Sequence, residues 1–138
     1  MSEEQRSHFN ELKAEIMSYG VKSRVSNSGD TFRLHTKTYV KMVIAGKGLK
    51  LYLALDPEKY IGSTIPFQDV GHKGVYKDIP FAFKVKSELS VRRAKELIAE
   101  AMYNGGLDKG DVVEKDYIQE IIDHQVETEE GDAEETED

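Results

Sequence analysis

The sequence predicts an α+β fold, a two-layer sandwich in which a mostly antiparallel sheet of four or five strands carries an N-terminal and a C-terminal helix on one face. Apolar residues recur at helical spacing near both ends of residues 1–107, and they alternate with polar residues in five runs between those ends. Short turns separate most of these runs, as expected for antiparallel strands. We therefore expect the helices to cover one face of the sheet and the other face to remain open to water.

The first helix is predicted over about Glu3–Tyr19. Phe9, Leu12 and Ile16 recur there at intervals of three and four residues, with polar residues between them. Gly20 follows, and glycine commonly ends a helix because it takes the left-handed conformation without steric cost.

Five segments alternate as strands do. They are Val21–Ser26, Thr31–Thr36, Thr38–Ala45, Leu49–Leu55 and Phe81–Lys86. A turn is predicted at residues 27–30, and Gly46-Lys47-Gly48 is the pattern of a short hairpin connection. Between the last two strands, Asp56–Pro80 has scattered Gly and Pro without sustained periodicity, so we expect a long loop with one helical turn around Pro57–Tyr60.

A second long helix follows the last strand. Ser87 or Ser90 can cap its start, an apolar stripe runs from Val91 to Met102, and Asn104-Gly105-Gly106 closes it. We therefore expect one α+β domain over residues 1–107.

Beyond this domain, a short additional helix is predicted within residues 108–125, over about Val112–His124. Residues 126–138 are almost entirely Glu, Asp, Thr and Gly, and this composition predicts a disordered acidic tail or linker. The same segment could alternatively fold back over positive charges of the domain.

Charge is divided unevenly along the chain. Residues 1–107 hold 17 Lys and Arg against 12 Asp and Glu, whereas residues 108–138 hold 2 against 14, so +5 and -12 sum to the net charge of -7. The absence of Cys excludes disulfides and thiolate chemistry. The polar N-terminus leads into no long apolar stretch, so we predict a cytoplasmic protein without a membrane partner.

Three segments carry a resemblance to a known kind of domain. They are residues 46–57 (GKGLKLYLALDP), residues 69–74 (DVGHKG), and residues 84–87 (KVKS) leading to residues 92–98 (RRAKELI). Over about residues 9–107 the chain resembles an uncharacterised bacterial domain of Firmicutes proteins. It is more distantly similar to small domains labelled as predicted transport proteins. The resemblance implies a small α+β fold and an acidic segment that links domains of a larger protein. It implies no catalytic residue.

The alternation places positive charges opposite the apolar side of every predicted strand. The cations are Lys22, Arg24, Arg33, Lys41, Lys50, Lys84 and Lys86. Tyr39 and Tyr52 are predicted on the same side. Cations that bind phosphates and rings that stack on bases are the features of a single-stranded nucleic-acid platform. Alternatively, this surface is simply the polar side of an antiparallel sheet, where Lys, Arg and Tyr are common.

His72 is the candidate in the 56–80 loop for acid-base chemistry or metal binding. The other histidines are scattered, and no spacing of His and carboxylates assembles a coordination shell, so we expect neither a metal nor another cofactor. The sequence favours a non-catalytic binding module with an unidentified partner, such as a polyanion or another domain of a larger protein. A single-stranded nucleic-acid module and an enzyme that uses the 56–80 loop are the alternatives.

Overall fold

The computed structural model describes residues 1–122 of the chain and shows the predicted α+β class. It contains six strands: β1 (Lys22–Ser26), β2 (Gly29–Leu34), β3 (Lys37–Ala45), β4 (Gly48–Leu53), β5 (Gln68–Asp69) and β6 (Phe81–Val85). They form one sheet in the order β1-β2-β3-β4-β6-β5, and all neighbours are antiparallel. The predicted strand number was one or two too low. The missed β5 lies inside the 56–80 loop and is too short to show an alternation.

Two long helices flank the strands in sequence, α1 (Glu3–Met17) and α2 (Glu88–Asn104). Ser2 caps α1 by accepting a hydrogen bond from the Gln5 backbone, and Ser87 and Ser90 form a reciprocal capping box at the start of α2. None of the helices within residues 1–122 has both the length and the apolar character needed to cross a bilayer.

The main core lies between these helices and the sheet. Its fully buried side chains include Leu12 and Ile16 of α1, Ile98 of α2, and Leu51 and Phe83 of the sheet. Leu51 and Phe83 are direct cross-strand partners, so the apolar side of each strand points to the helices as the alternation predicted.

One buried ion pair joins α1 to β2 inside this layer. Lys13 Nζ lies 2.7 Å from the Asp30 carboxylate, and Ser23 Oγ donates to the same carboxylate at 2.6 Å. Asp30 was predicted in a turn, but it lies within β2 and is buried. The turn between β1 and β2 is therefore shorter than predicted.

The chain after α2 packs along α1. We call residues 107–116 the connecting arm. Gly110 donates its backbone N–H to the Ser18 carbonyl, and Asp116 pairs with Arg6 near the other end of α1. A third helix, α3, begins at Tyr117 and includes Ile122, the last described residue. The predicted start at Val112 was wrong because residues 112–116 are non-helical chain held against α1. The prediction for residues 126–138 lies outside the described residues.

Candidate functional site

The strand register decides which side chains share the face of the sheet opposite the helices. Lys22 is paired with Arg33, and Lys50 is paired with Lys84, while Lys41 is paired with Tyr52. These positions alternate with core residues, so they point away from the helices. We call this surface the basic face and define it by the predicted cations Lys22, Arg24, Arg33, Lys41, Lys50 and Lys84, together with Lys86, which follows β6 and lies outside the strand register.

No acidic side chain occupies a described strand position on the basic face. The other outward positions of the strands are Ser26, Gly29, Thr31, Thr38, Val43, Ala45, Gly48, Tyr52, Gln68 and Ala82. Lys50 and Lys84 are direct neighbours, and like charges in this arrangement repel. Every described outward strand position is therefore either basic or uncharged.

The cations of the basic face differ in exposure. Lys22, Arg33, Lys84 and Lys86 are exposed, whereas Lys41 and Lys50 are half-buried. Lys41 Nζ donates to Ser28 Oγ at 3.0 Å in the turn between β1 and β2. Lys41 and Lys50 are thus less accessible to a partner than these four exposed cations.

Tyr39 does not lie on the basic face, and its predicted place was wrong. A register irregularity between β2 and β3 pairs Phe32 with Val40 but Arg33 with Thr38, so Tyr39 is an extra residue that breaks the alternation. Its ring is buried in the main core, where it contacts Gly105 just after α2. Its hydroxyl is 3.5 Å from the Gly105 carbonyl oxygen.

Tyr52 lies on the predicted side of the sheet but is not available for stacking. The ring of Tyr76 lies parallel to it, with 4.1 Å between the ring centroids and 5° between the planes. Val70, Ile79 and Ala82 complete a second, smaller apolar cluster around Tyr52. The expectation of a wholly open face was therefore wrong, because part of the 56–80 loop covers the β4–β6 portion.

Tyr76 is the aromatic residue of this surface that sequence reasoning missed. It is half-buried, and Lys41 Nζ lies 6.0 Å from its ring centroid. A hydrogen bond with Tyr52 and then burial raise the pKa of Tyr76, while the nearby Lys41 and Lys50 oppose this shift. Apolar residues such as Val70 and Ile79 in a loop signal a covering segment, and this signal could have identified it.

His72 is exposed in the 56–80 loop. A cleft of about 270 Å³ lies elsewhere, between α1 and the connecting arm, and Asn10, Glu11 and Lys115 are among its lining residues. Within residues 1–122 no group of three or more His, Asp or Glu side chains is arranged to hold a metal ion. Among the described residues, no hydrogen bond or ion pair ties His72 to a neighbouring acid or base, and the cleft does not include it.

Comparison with known proteins gives no relative from which a function could be transferred. No family model, no curated protein and no solved structure matched the chain. The resemblance to a Firmicutes domain therefore stays a prediction of the sequence, and function must be argued from the basic face itself.

Proposed function

We propose that this protein is a non-catalytic binding module that holds a polyanionic partner on the basic face. The supporting observation is the row of cations across β1, β2, β3, β4 and β6 without an acidic residue at a described outward strand position. Arranging like charges side by side lowers stability slightly, and an anionic partner would offset this repulsion. Binding should therefore be electrostatic and strongly dependent on salt.

Single-stranded nucleic acid is a second candidate partner, and the position of Tyr76 favours it. The two tyrosines first expected to stack on bases are buried, but Tyr76 is partly exposed beside Lys41. A ring next to a cation can stack on a base while the cation contacts phosphate. One ring gives a weaker platform than the sequence suggested, so charge supplies most of the affinity in this proposal.

Charge removal on the basic face tests the proposal. The variant combines Lys41→Gln, Lys50→Gln and Lys84→Gln, and its matched control combines Lys59→Gln, Arg92→Gln and Arg93→Gln outside the sheet. Both variants lose three positive charges. The probes are a heparin oligosaccharide and the single-stranded oligonucleotide dT20, with affinities measured by fluorescence anisotropy from 50 to 300 mM salt.

We expect the basic-face variant to lose affinity at least tenfold at low salt. For dT20 the slope of log affinity against log salt should fall by about 0.7 for each phosphate contact removed, or about 2 in total. The control should keep both the affinity and the slope. Equal losses in the two variants would show that net charge alone matters and would refute a binding face.

A further variant, Tyr76→Leu in the otherwise unmodified chain, separates the two candidate partners. If bases stack on Tyr76, this substitution weakens dT20 binding but leaves heparin binding unchanged. If Tyr76→Leu changes the affinities for dT20 and heparin equally, the basic face binds polyanions in general. The cytoplasmic location and a parent protein with further domains stay predictions.

A further inference from the structure

The acidic segment, residues 126–138, has the charge needed to occupy the basic face. It contains eight Asp and Glu residues and no Lys or Arg. We propose that the acidic segment of the same molecule binds the basic face and competes with its polyanionic partner. This regulatory contact rests on the proposed function for its consequence, although the contact itself can be tested without any partner.

The start of α3 lies near the part of α1 that contacts β2. Lys13 Nζ is 5.5 Å from the Tyr117 ring centroid and 5.8 Å from that of Phe32, which belongs to β2. In the strand order, β2 is one strand from the sheet edge formed by β1. The chain therefore enters α3 within a strand or two of the edge around which residues 123–138 would have to pass to reach the basic face.

The remaining chain is long enough for this path. Residues 123–138 number 16, and an extended chain spans about 3.3 Å per residue, or about 50 Å in all. Strands lie about 4.8 Å apart, so the four steps from β1 through β2, β3 and β4 to β6 cover about 19 Å. About 30 Å of chain is left for the passage around the edge.

A contact within one molecule can be highly populated even when each of its charge pairs is weak. A tethered segment competes at an effective concentration of about millimolar, so it can occupy a weak site for much of the time. The apparent dissociation constant of a competitor rises in inverse proportion to the fraction of free sites. A segment bound in about 90% of molecules would thus weaken partner binding about tenfold, and salt would remove this effect.

The test uses the full-length chain and two variants matched in charge. The segment variant carries Gln at Glu129, Glu130, Glu134 and Glu135. The control variant carries Gln at Glu96 and Glu100 and Asn at Asp108 and Asp111, which are exposed on α2 and the connecting arm. Each removes four negative charges, so the net charge changes from -7 to -3 in both.

Backbone amide chemical shifts, measured without any partner at 20 and 500 mM salt, report the contact. We expect the segment variant to shift the amides of Thr31, Lys41, Lys50 and Lys84 at low salt, and these differences should vanish at high salt. The control should leave these amides unchanged. Absence of such shifts in the segment variant, or equal shifts in both variants, would overturn the proposal. Shifts that grow with protein concentration would also overturn it, because they would indicate contact between molecules.

Heparin oligosaccharide binding then separates this proposal from the proposed function. We expect the segment variant to bind up to about tenfold more tightly than the unmodified chain at low salt. If all three proteins bind heparin equally and no amide shifts are seen, the polyanion site stands and the competition is refuted. If the amides shift but none of the three proteins binds heparin or dT20, the intramolecular contact stands and the proposed function fails.

Discussion

The buried pair between Lys13 and Asp30 offers a sharp test of how α1 is fixed to the sheet. Their side chains are 8% and 3% exposed, and the charged atoms are 2.7 Å apart. Lys13→Met keeps much of the side-chain volume but removes the charge. The carboxylate of Asp30 would then remain buried and charged, with Ser23 Oγ still donating a hydrogen bond to it.

The expected cost of Lys13→Met follows from this burial. Removing one partner of a buried ion pair leaves an uncompensated charge and costs about 3–5 kcal/mol of unfolding free energy. This is a large fraction of the total stability of about 5–15 kcal/mol expected for a domain of this kind. Replacing both partners, as in Lys13→Met with Asp30→Leu, should restore stability to within about 2 kcal/mol of the original, because no charge is then buried alone.

Guanidinium unfolding followed by circular dichroism measures these free energies. Lys95→Met is the matched control, because Lys95 pairs with Glu11 at the same distance of 2.7 Å but both side chains are 33–40% exposed. An exposed pair contributes about 0–1 kcal/mol. If Lys13→Met costs no more than Lys95→Met, or if the double variant is no more stable than Lys13→Met alone, the uncompensated-charge reasoning is refuted.

Three further predictions concern the connecting arm, the C-terminal end of α2 and the 56–80 loop. Hydrogen bonds from Arg6, above all, hold the pKa of Asp116 down at about 2. Because this folded-state pKa lies below the ordinary value, the contribution of Asp116 to stability is present above about pH 4 and disappears as pH falls through 2. Asp116→Asn should therefore flatten the acid limb of a pH–stability curve. Gly105→Ala should lower the free energy of unfolding by about 1–3 kcal/mol, because a Cβ at this position would lie 2.4 Å from the Tyr39 ring. Thermal unfolding measures this loss. A smaller loss in a Tyr39→Leu background would confirm that the clash with the ring is its cause. Tyr76 should ionise above its ordinary pKa in an absorbance titration, and a normal value would contradict its hydrogen bond and burial.

Much of the fold follows from periodicity that is local in sequence. The apolar alternation in β3, β4 and β6 identified the core side of each strand, because a buried sheet face imposes a period of two wherever the strand lies. The capping serines and the hairpin glycines marked element ends for equally local reasons. The same alternation predicted seven cations on one side of the sheet, and the strand register has outward positions for six of them, all but Lys86.

Tertiary structure decided what no local pattern records. Tyr39 is in the core because of a register irregularity between two strands, and Tyr52 is covered because Tyr76, distant in sequence, folds over it. Asp30 was predicted as a turn residue, but in the folded chain it is buried in β2 and pairs with Lys13 of α1. Periodicity in the sequence indicates which side of a helix or strand faces the core. Which residue packs against that side depends on how distant segments of the chain meet. That arrangement is set by the packing of the whole domain.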